Sequence, residues 1–217
     1  MEKDKNLTTF YLVRHGETKF NIKKILQGQT DSPLTETGRM MTQELSQDLA
    51  NIRFDAIFSS DLARAKNTAE IIRLNRKLAI NTHKLLRERS FGCWDGTSAK
   101  IFREKNKVLL DKMESLSEKE KINFRLYDGY ETEAEIAARM ITVLREIAVT
   151  YVGKTVLVVS HGAIMRSLLV HLGFGSYDEL PRGKTVSNLG YIVLESDGVD
   201  FFIKNTVGIN KLTQVAK

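Results

Sequence analysis

The chain has 217 residues, of which 42% are hydrophobic, a single cysteine, and a formal net charge of +6. That length suits one domain with a sizeable core, the lone Cys93 excludes an internal disulfide and a cysteine-rich metal site, and no apolar run approaches the roughly 18 residues of a membrane span. Basic residues alternate with acidic ones and no five like charges run together, which favours a solvated surface over a nucleic-acid footprint.

The first residues, Met1 to Asn6, contain no apolar segment, so no signal peptide is expected and a cytoplasmic location is. An apolar run then ends abruptly in Arg14-His15-Gly16-Glu17, which predicts a strand over about residues 8–14 that delivers a histidine to a sheet edge. Thr35 is placed to cap a helix with Met41, Leu45, Leu49 and Ile52 on one stripe. Residues 55–59 read as a second strand, and Asp61 opens a helix with Ala65, Thr68, Ala69 and Ile72 on one face. A further strand is expected around 82–87.

Residues 97–128 are rich in Lys and Glu, with apolar anchors at Ile101, Phe102, Val108, Leu109, Leu110, Met113 and Leu116. They predict amphipathic helices inserted between core elements, either a lid or peripheral packing. Thr132 and Glu135 form a capping box for a long helix striped with Ala137, Met140, Ile141, Leu144, Ile147, Ala148 and Tyr151. The apolar run 155–160 suits a central strand, and the helix from His161 to Leu172 follows it, with Gly173 as a natural stop. Two late strands flank the turn Ser196-Asp197-Gly198. Alternating helices and strands predict one domain over 1–217, a three-layer α/β/α arrangement on a mostly parallel central sheet with a helical insertion.

Four segments carry chemistry, and each lies at the end of a regular element: Arg14-His15-Gly16-Glu17, Ser59-Ser60-Asp61-Leu62-Ala63-Arg64, Leu86-Arg87-Glu88-Arg89-Ser90-Phe91-Gly92, and Ser160-His161-Gly162. In open α/β sheets ligands bind beyond the carboxyl ends of strands. Arginine forks suit a phosphate, glycines at Gly16 and Gly162 admit close backbone approach, and a helix start beside His161 offers amide donors. One strand-end histidine is more often structural than catalytic; two of them beside two arginines point to anion chemistry. His83 and His171 fit no motif, Cys93 and Trp94 are read as packing residues, and no spacing of metal ligands occurs.

Together the segments RHGE, SDLxRAxxTA and SHG, in that order, resemble the histidine phosphatase superfamily, the phosphoglycerate mutase-like proteins, from about Phe10 to the last strands. The resemblance implies His15 as a nucleophile that becomes a phosphohistidine, and Arg14, Arg64 and His161 as ligands of the phosphoryl oxygens. It implies Glu88 as the acid and base, kept protonated for the first step by burial near phosphate. Asn21, Gln27 and Gly28 match substrate-pocket positions, with Gly16 and Gly162 beside them, and Glu17 a supporting one.

The segment Gly129-Tyr130-Glu131-Thr132 departs from the Gly-Glu-Ser that many members carry, although Thr132 still suits a cap. Longer substrate-loop and C-terminal segments of the cofactor-dependent mutases are lacking. The expectation is therefore a phosphomonoesterase acting on a small phosphorylated metabolite without cofactor, metal, nucleic acid or membrane. A phosphoglycerate mutase-type transferase is the alternative, and an inactive binding module on the same fold is a third reading. The oligomeric state stays open, a dimer being one arrangement the resemblance admits.

Overall fold

The computed structural model describes residues 6–73 and 76–212. Its sheet has six strands in the order β3-β2-β4-β1-β5-β6, with β1 at Thr8–Arg14, β2 at Ala56–Ser59, β3 at Ile80–Thr82, β4 at Thr155–Ser160, β5 at Val186–Ser196 and β6 at Phe201–Ile209. The strands β3, β2, β4 and β1 run parallel, whereas β5 and β6 are antiparallel to their neighbours.

Side-chain alternation divides the core between the two sheet faces. Phe10, Leu12, Val156 and Val158 pack with α7 (Glu133–Thr150) and α8 (Gly162–His171). Val13, Leu157 and Val159 face the other way, toward α2 (Glu36–Asp48) and α3 (Ala63–Arg73). The expected three layers thus follow from β1 and β4 being apolar on both faces, as buried parallel strands are.

Helix caps match the sequence. Thr35 accepts from Gly38 N at 2.8 Å, and Thr132 with Glu135 forms the reciprocal box that starts α7. The stripe of α3 is buried as expected, but Met41 of α2 is 42% exposed, because the sheet meets α2 through Leu45 and Leu49 instead.

The strand expected around 82–87 stops at Thr82. His83 caps a single 3-10 turn over Lys84–Leu86 by accepting from Leu85 N, so its ring is a turn-former. Leu86 is buried there and its carbonyl accepts from Ser160 Oγ at 2.8 Å, which explains an apolar pair that is not a strand.

The insertion forms a single-turn to two-turn series, α4 (Ala99–Lys105), α5 (Lys107–Glu114) and α6 (Glu118–Asn123), after the one-turn α1 (Lys19–Ile22) earlier in the chain. Phe102, Met113, Leu126 and Tyr130 make a small core of their own, joined by Leu26, Phe91 and Trp94. Of the expected anchors, Ile101 and Val108 are exposed instead. Cys93, expected to pack, is exposed as well, while Trp94 sits edge-on to Phe102 at 5.8 Å. Among the described residues no helix is long and apolar enough to cross a membrane.

Candidate active site

The sheet order places the two histidines together. Arg14 is in register with Ser160 across the parallel pair β1–β4, and His15 N donates to Ser160 O at 3.0 Å. Both strands therefore release their next residue, His15 and His161, at the same carboxyl edge. The rings lie 5.2 Å apart between centroids, inclined by 62°. A cleft of about 420 Å³ opens at that edge, lined by Arg14, His15, Arg64, Glu88, Gly162 and the insertion.

His15 is 2% exposed, and its Nδ1 lies 2.7 Å from the carbonyl oxygen of Gly16. A carbonyl can only accept, so Nδ1 carries the proton and Nε2 keeps its lone pair. The Gly16 amide in turn donates to Thr68 Oγ1 at 3.0 Å, so α3 braces the peptide that orients the ring. A Cβ on Gly16 would stand 2.7 Å from Thr42 Oγ1; this glycine serves a close approach of β1 to α2 and is not among the cleft-lining residues.

Burial pushes the His15 imidazolium well below its ordinary range, and the Arg64 and Arg14 guanidiniums add to this. His161 is likewise held neutral, by burial first and then by Arg64, and neither of its ring nitrogens has a protein partner. Two neutral buried histidines give a stability test. Just below pH 6.5 the unfolded chain binds protons that the folded chain refuses, so stability falls as pH drops through that value. We expect a loss of up to about 1.4 kcal/mol per pH unit for each histidine, read from urea midpoints between pH 6.5 and 5.5. A flat profile there, or one unchanged in His161→Ala, contradicts the buried neutral pair.

Arg64 is fully buried. Its Nη1 donates to Thr30 O (2.7 Å) and Asp31 Oδ1 (3.1 Å), and its Nη2 to Gly28 O (2.7 Å), leaving Nε unpartnered. Arg14 donates through Nη1 to Val186 O and also leaves Nε unpartnered. Gly162 is needed beside it, since a Cβ there would lie 3.1 Å from Arg14 Nε. Buried donors without partners are rare and mark places where an acceptor belongs.

Glu88 lines the same cleft but does something unforeseen. Its Oε1 accepts from the amides of Arg89 (2.8 Å) and Ile164 (3.2 Å), and its Oε2 from Ala163 (3.1 Å). The carboxylate therefore sits on the first turn of α8, where the helix dipole favours negative charge. The amides expected to serve a phosphate are, at Ala163 and Ile164, already engaged by Glu88.

Asn21 and Gln27 line the cleft, and Gly28 does so while giving its carbonyl to Arg64. Asn21 Oδ1 accepts from Thr18 N, and Gln27 Oε1 is buried without a partner. Glu17 is not among the cleft-lining residues, and its Oε1 accepts from the Thr35 hydroxyl at 2.7 Å.

Several contributors were missed by the sequence reading. Arg139 of α7 donates to the carbonyls of Leu85, Arg87 and Glu88 and pairs with Glu131 at 2.9 Å, clamping the turn that carries Glu88. Asn188 Nδ2 donates to His15 O at 3.1 Å from a bulged stretch of β5, where Leu189 takes a φ of 61°. Asp31 holds Arg64, and Arg89, Glu133, Arg166 and Arg182 form a buried ionic cluster on the far wall of the cleft. A signal existed for one of these: Arg166 interrupts the apolar face of α8, and a charge on a buried helix demands a partner. No group of three His, Cys, Asp or Glu among the described residues is placed to hold a metal ion.

Comparison with known proteins agrees with the fold. The model of the histidine phosphatase superfamily (branch 1) matches residues 10–207. A Bacillus subtilis protein named uncharacterized phosphatase PhoE is 33% identical over 169 residues, 78% of this chain and 79% of that one. The probable phosphoglycerate mutase GpmB of Photorhabdus laumondii is 34% identical over 168 residues, 73% of this chain and 72% of that one. Among solved structures, Bacillus stearothermophilus YhfR superimposes with a TM-score of 0.80 at 31% identity, covering 90% of this chain and 95% of its own. Relatives of this kind are phosphatases or phosphoglycerate mutase-like enzymes. The extent of these matches, with the histidine pair at the shared edge of β1 and β4, establishes that the chain belongs to the histidine phosphatase superfamily.

Proposed function

We propose that the protein is a phosphomonoesterase that hydrolyses a small phosphorylated metabolite through a phosphohistidine on His15. The observation that carries this reading is the hydrogen bond from His15 Nδ1 to Gly16 O, which leaves a neutral Nε2 as the nucleophile in a cleft flanked by Arg14 and Arg64. Nε2 attacks phosphorus, and the bond from phosphorus to the ester oxygen breaks. The leaving oxygen takes a proton from Glu88 in its carboxylic acid form, the proton being carried on Oε2, which among the described residues accepts from the Ala163 amide alone. Water then attacks the phosphohistidine and returns a proton to Glu88, the nitrogen–phosphorus bond breaks, and His15 is restored. One difficult displacement becomes two easier ones.

Arg14, Arg64 and His161 are the groups that meet the negative charge on the peripheral oxygens, where phosphoryl transfer gains most of its catalysis. The unpartnered Nε atoms of both arginines and the unpartnered His161 ring support that assignment. Gln27, with an unpartnered buried Oε1, and Asn21 then face the rest of the substrate, next to Gly28 and Gly162.

The test is a panel of phosphorylated metabolites assayed for phosphate release, with rapid acid and alkaline quench of labelled enzyme. Phosphate release with an acid-labile, alkali-stable phosphoenzyme is expected. Isomerisation of 3-phosphoglycerate without net phosphate release would replace hydrolysis by the mutase reaction. The role of Glu88 has its own test. Glu88→Gln should lower kcat by about 10²–10⁴-fold with alkyl phosphates, whose leaving oxygen needs the proton, and much less with p-nitrophenyl phosphate. Equal losses with both kinds of ester remove Glu88 from the proton-donor role.

A further inference from the structure

The cleft has a second charged wall, away from the histidines. Glu133, buried at the start of α7, presents Oε1 to three guanidiniums: Arg89 at 2.7 Å, Arg166 at 3.0 Å and Arg182 at 3.6 Å. Its other oxygen accepts from the hydroxyl of Ser167. All four charged residues line the same cleft as His15.

One carboxylate does not neutralise three arginines, and uncompensated buried charge is costly. The excess is held in place by ring and carbonyl contacts. Arg166 donates to Leu180 O and Tyr177 O and stacks 4.6 Å from the Tyr177 ring, while Arg182 lies 5.0 Å from the same ring. Arg89 donates to Tyr130 Oη at 2.6 Å and keeps a buried Nε with no partner. Arg166 and Arg89 are almost wholly buried, whereas the Arg182 side chain is 30% exposed. Lys184, exposed two residues on, extends the cationic rim.

We propose that this wall is a second anion subsite, which takes a further phosphate or carboxylate group carried by the same substrate whose phosphoryl group reaches His15. The inference rests on the phosphatase reading of the His15 centre and narrows its substrate to esters with two anionic groups. A fixed, dehydrated guanidinium cluster recognises such a group by charge-assisted, forked hydrogen bonds. The geometry also selects against neutral alcohols at that end, because the cationic wall would then stay uncompensated. Arg182 is the residue of the cluster that an arriving group meets from the open side, and Glu133 sets the spacing of the three forks.

The test is a set of calorimetric titrations on the full chain bearing His15→Ala, so that nothing turns over. Three matched pairs serve as probes: glycerol 3-phosphate against 3-phosphoglycerate, glucose 6-phosphate against glucose 1,6-bisphosphate, and fructose 6-phosphate against fructose 1,6-bisphosphate. At least one doubly anionic partner is expected to bind fivefold or more tighter than its mate. Adding Arg182→Gln, at a half-exposed position that leaves the buried pairs of Glu133 intact, should cut that ratio at least threefold. Ratios below fivefold in all three pairs overturn the subsite, as does a ratio that Arg182→Gln leaves in place. Failure of the wild-type chain to release phosphate from any ester would instead defeat the phosphatase reading, and the binding ratios would still decide the subsite.

Discussion

His15→Ala is expected to lower phosphate release by on the order of 10⁴-fold or more, as removal of a covalent nucleophile does when the other groups have nothing to act with. The arrangement behind His15 explains why no neighbour can replace it. His161 is as neutral and as buried, but its ring centroid stands 5.2 Å from that of His15 and no carbonyl holds either of its ring nitrogens, so neither is oriented for attack as Nε2 of His15 is. Arg14 and Arg64 are cations with no lone pair to offer. Glu88 has Oε1 engaged by the amides of Arg89 and Ile164, and Oε2 is the atom that carries the proton in the proposed reaction. The measurement is phosphate release by the purified variant, with circular dichroism to confirm the fold, and loss of the acid-labile phosphoenzyme in the quench. Retention of more than about 1% of turnover would sink the nucleophile assignment.

Glu133→Ala has the largest expected effect on stability. The substitution removes the only carboxylate among the described residues that pairs with Arg89, Arg166 and Arg182, and it strands the Ser167 hydroxyl. Breaking a buried ion pair from one side costs about 3–5 kcal/mol, because the remaining charge stays desolvated. Three guanidiniums are stranded here, so the upper part of that range is expected from urea unfolding. A loss below about 1 kcal/mol would show that water or a counter-ion reaches the cluster freely. The double variant Arg89→Met with Glu133→Leu should recover part of the loss, since it removes one of the three stranded guanidiniums and fills its space with apolar volume, while Arg166 and Arg182 stay unpaired.

The same carboxylate gives a pH signature. The surrounding arginines hold the Glu133 carboxyl down to about 2, against the opposing effect of burial. A depressed carboxyl stabilises the fold above its unfolded value, and that contribution is lost as pH falls from there toward 2. The histidine pair acts higher, just below pH 6.5. Two separated acid limbs are therefore expected, and Glu133→Gln should diminish the lower one, to which Asp61 beside Arg87 and Glu135 at the start of α7 also contribute.

Much of the architecture was legible because it depends on neighbours in sequence. The alternation of Phe10, Leu12 and Val13 announces a strand buried on both faces, and the Thr132–Glu135 box announces where α7 begins. Helical stripes on α3 and α7 were readable for the same reason: one turn brings residues three and four apart to one side. The strand expected through residue 87 failed because Leu85 and Leu86 look alike whether they extend or turn. The turn is held by His83 accepting from Leu85 N and by the Leu86 carbonyl meeting Ser160, 74 positions away.

The site divides along the same line. Arg14, His15, Arg64, Glu88 and His161 each stand at the end of a patterned segment, so the sequence could nominate them. Their partners are remote: Asn188 reaches His15 across 173 positions, Arg139 reaches the Glu88 turn across 51, and Glu88 caps α8 across 75. By itself the chain determined that two strands end in His-Gly, that an apolar core of α/β type surrounds them, and which ionisable groups stand at the edge. Only the tertiary structure decided that β1 and β4 are adjacent and in register, that Gly16 leaves Nε2 of His15 free, and that three arginines gather on Glu133. The physical reason is that local periodicity and capping act over a few residues, whereas charge pairing and sheet order become defined only once distant segments are packed out of water.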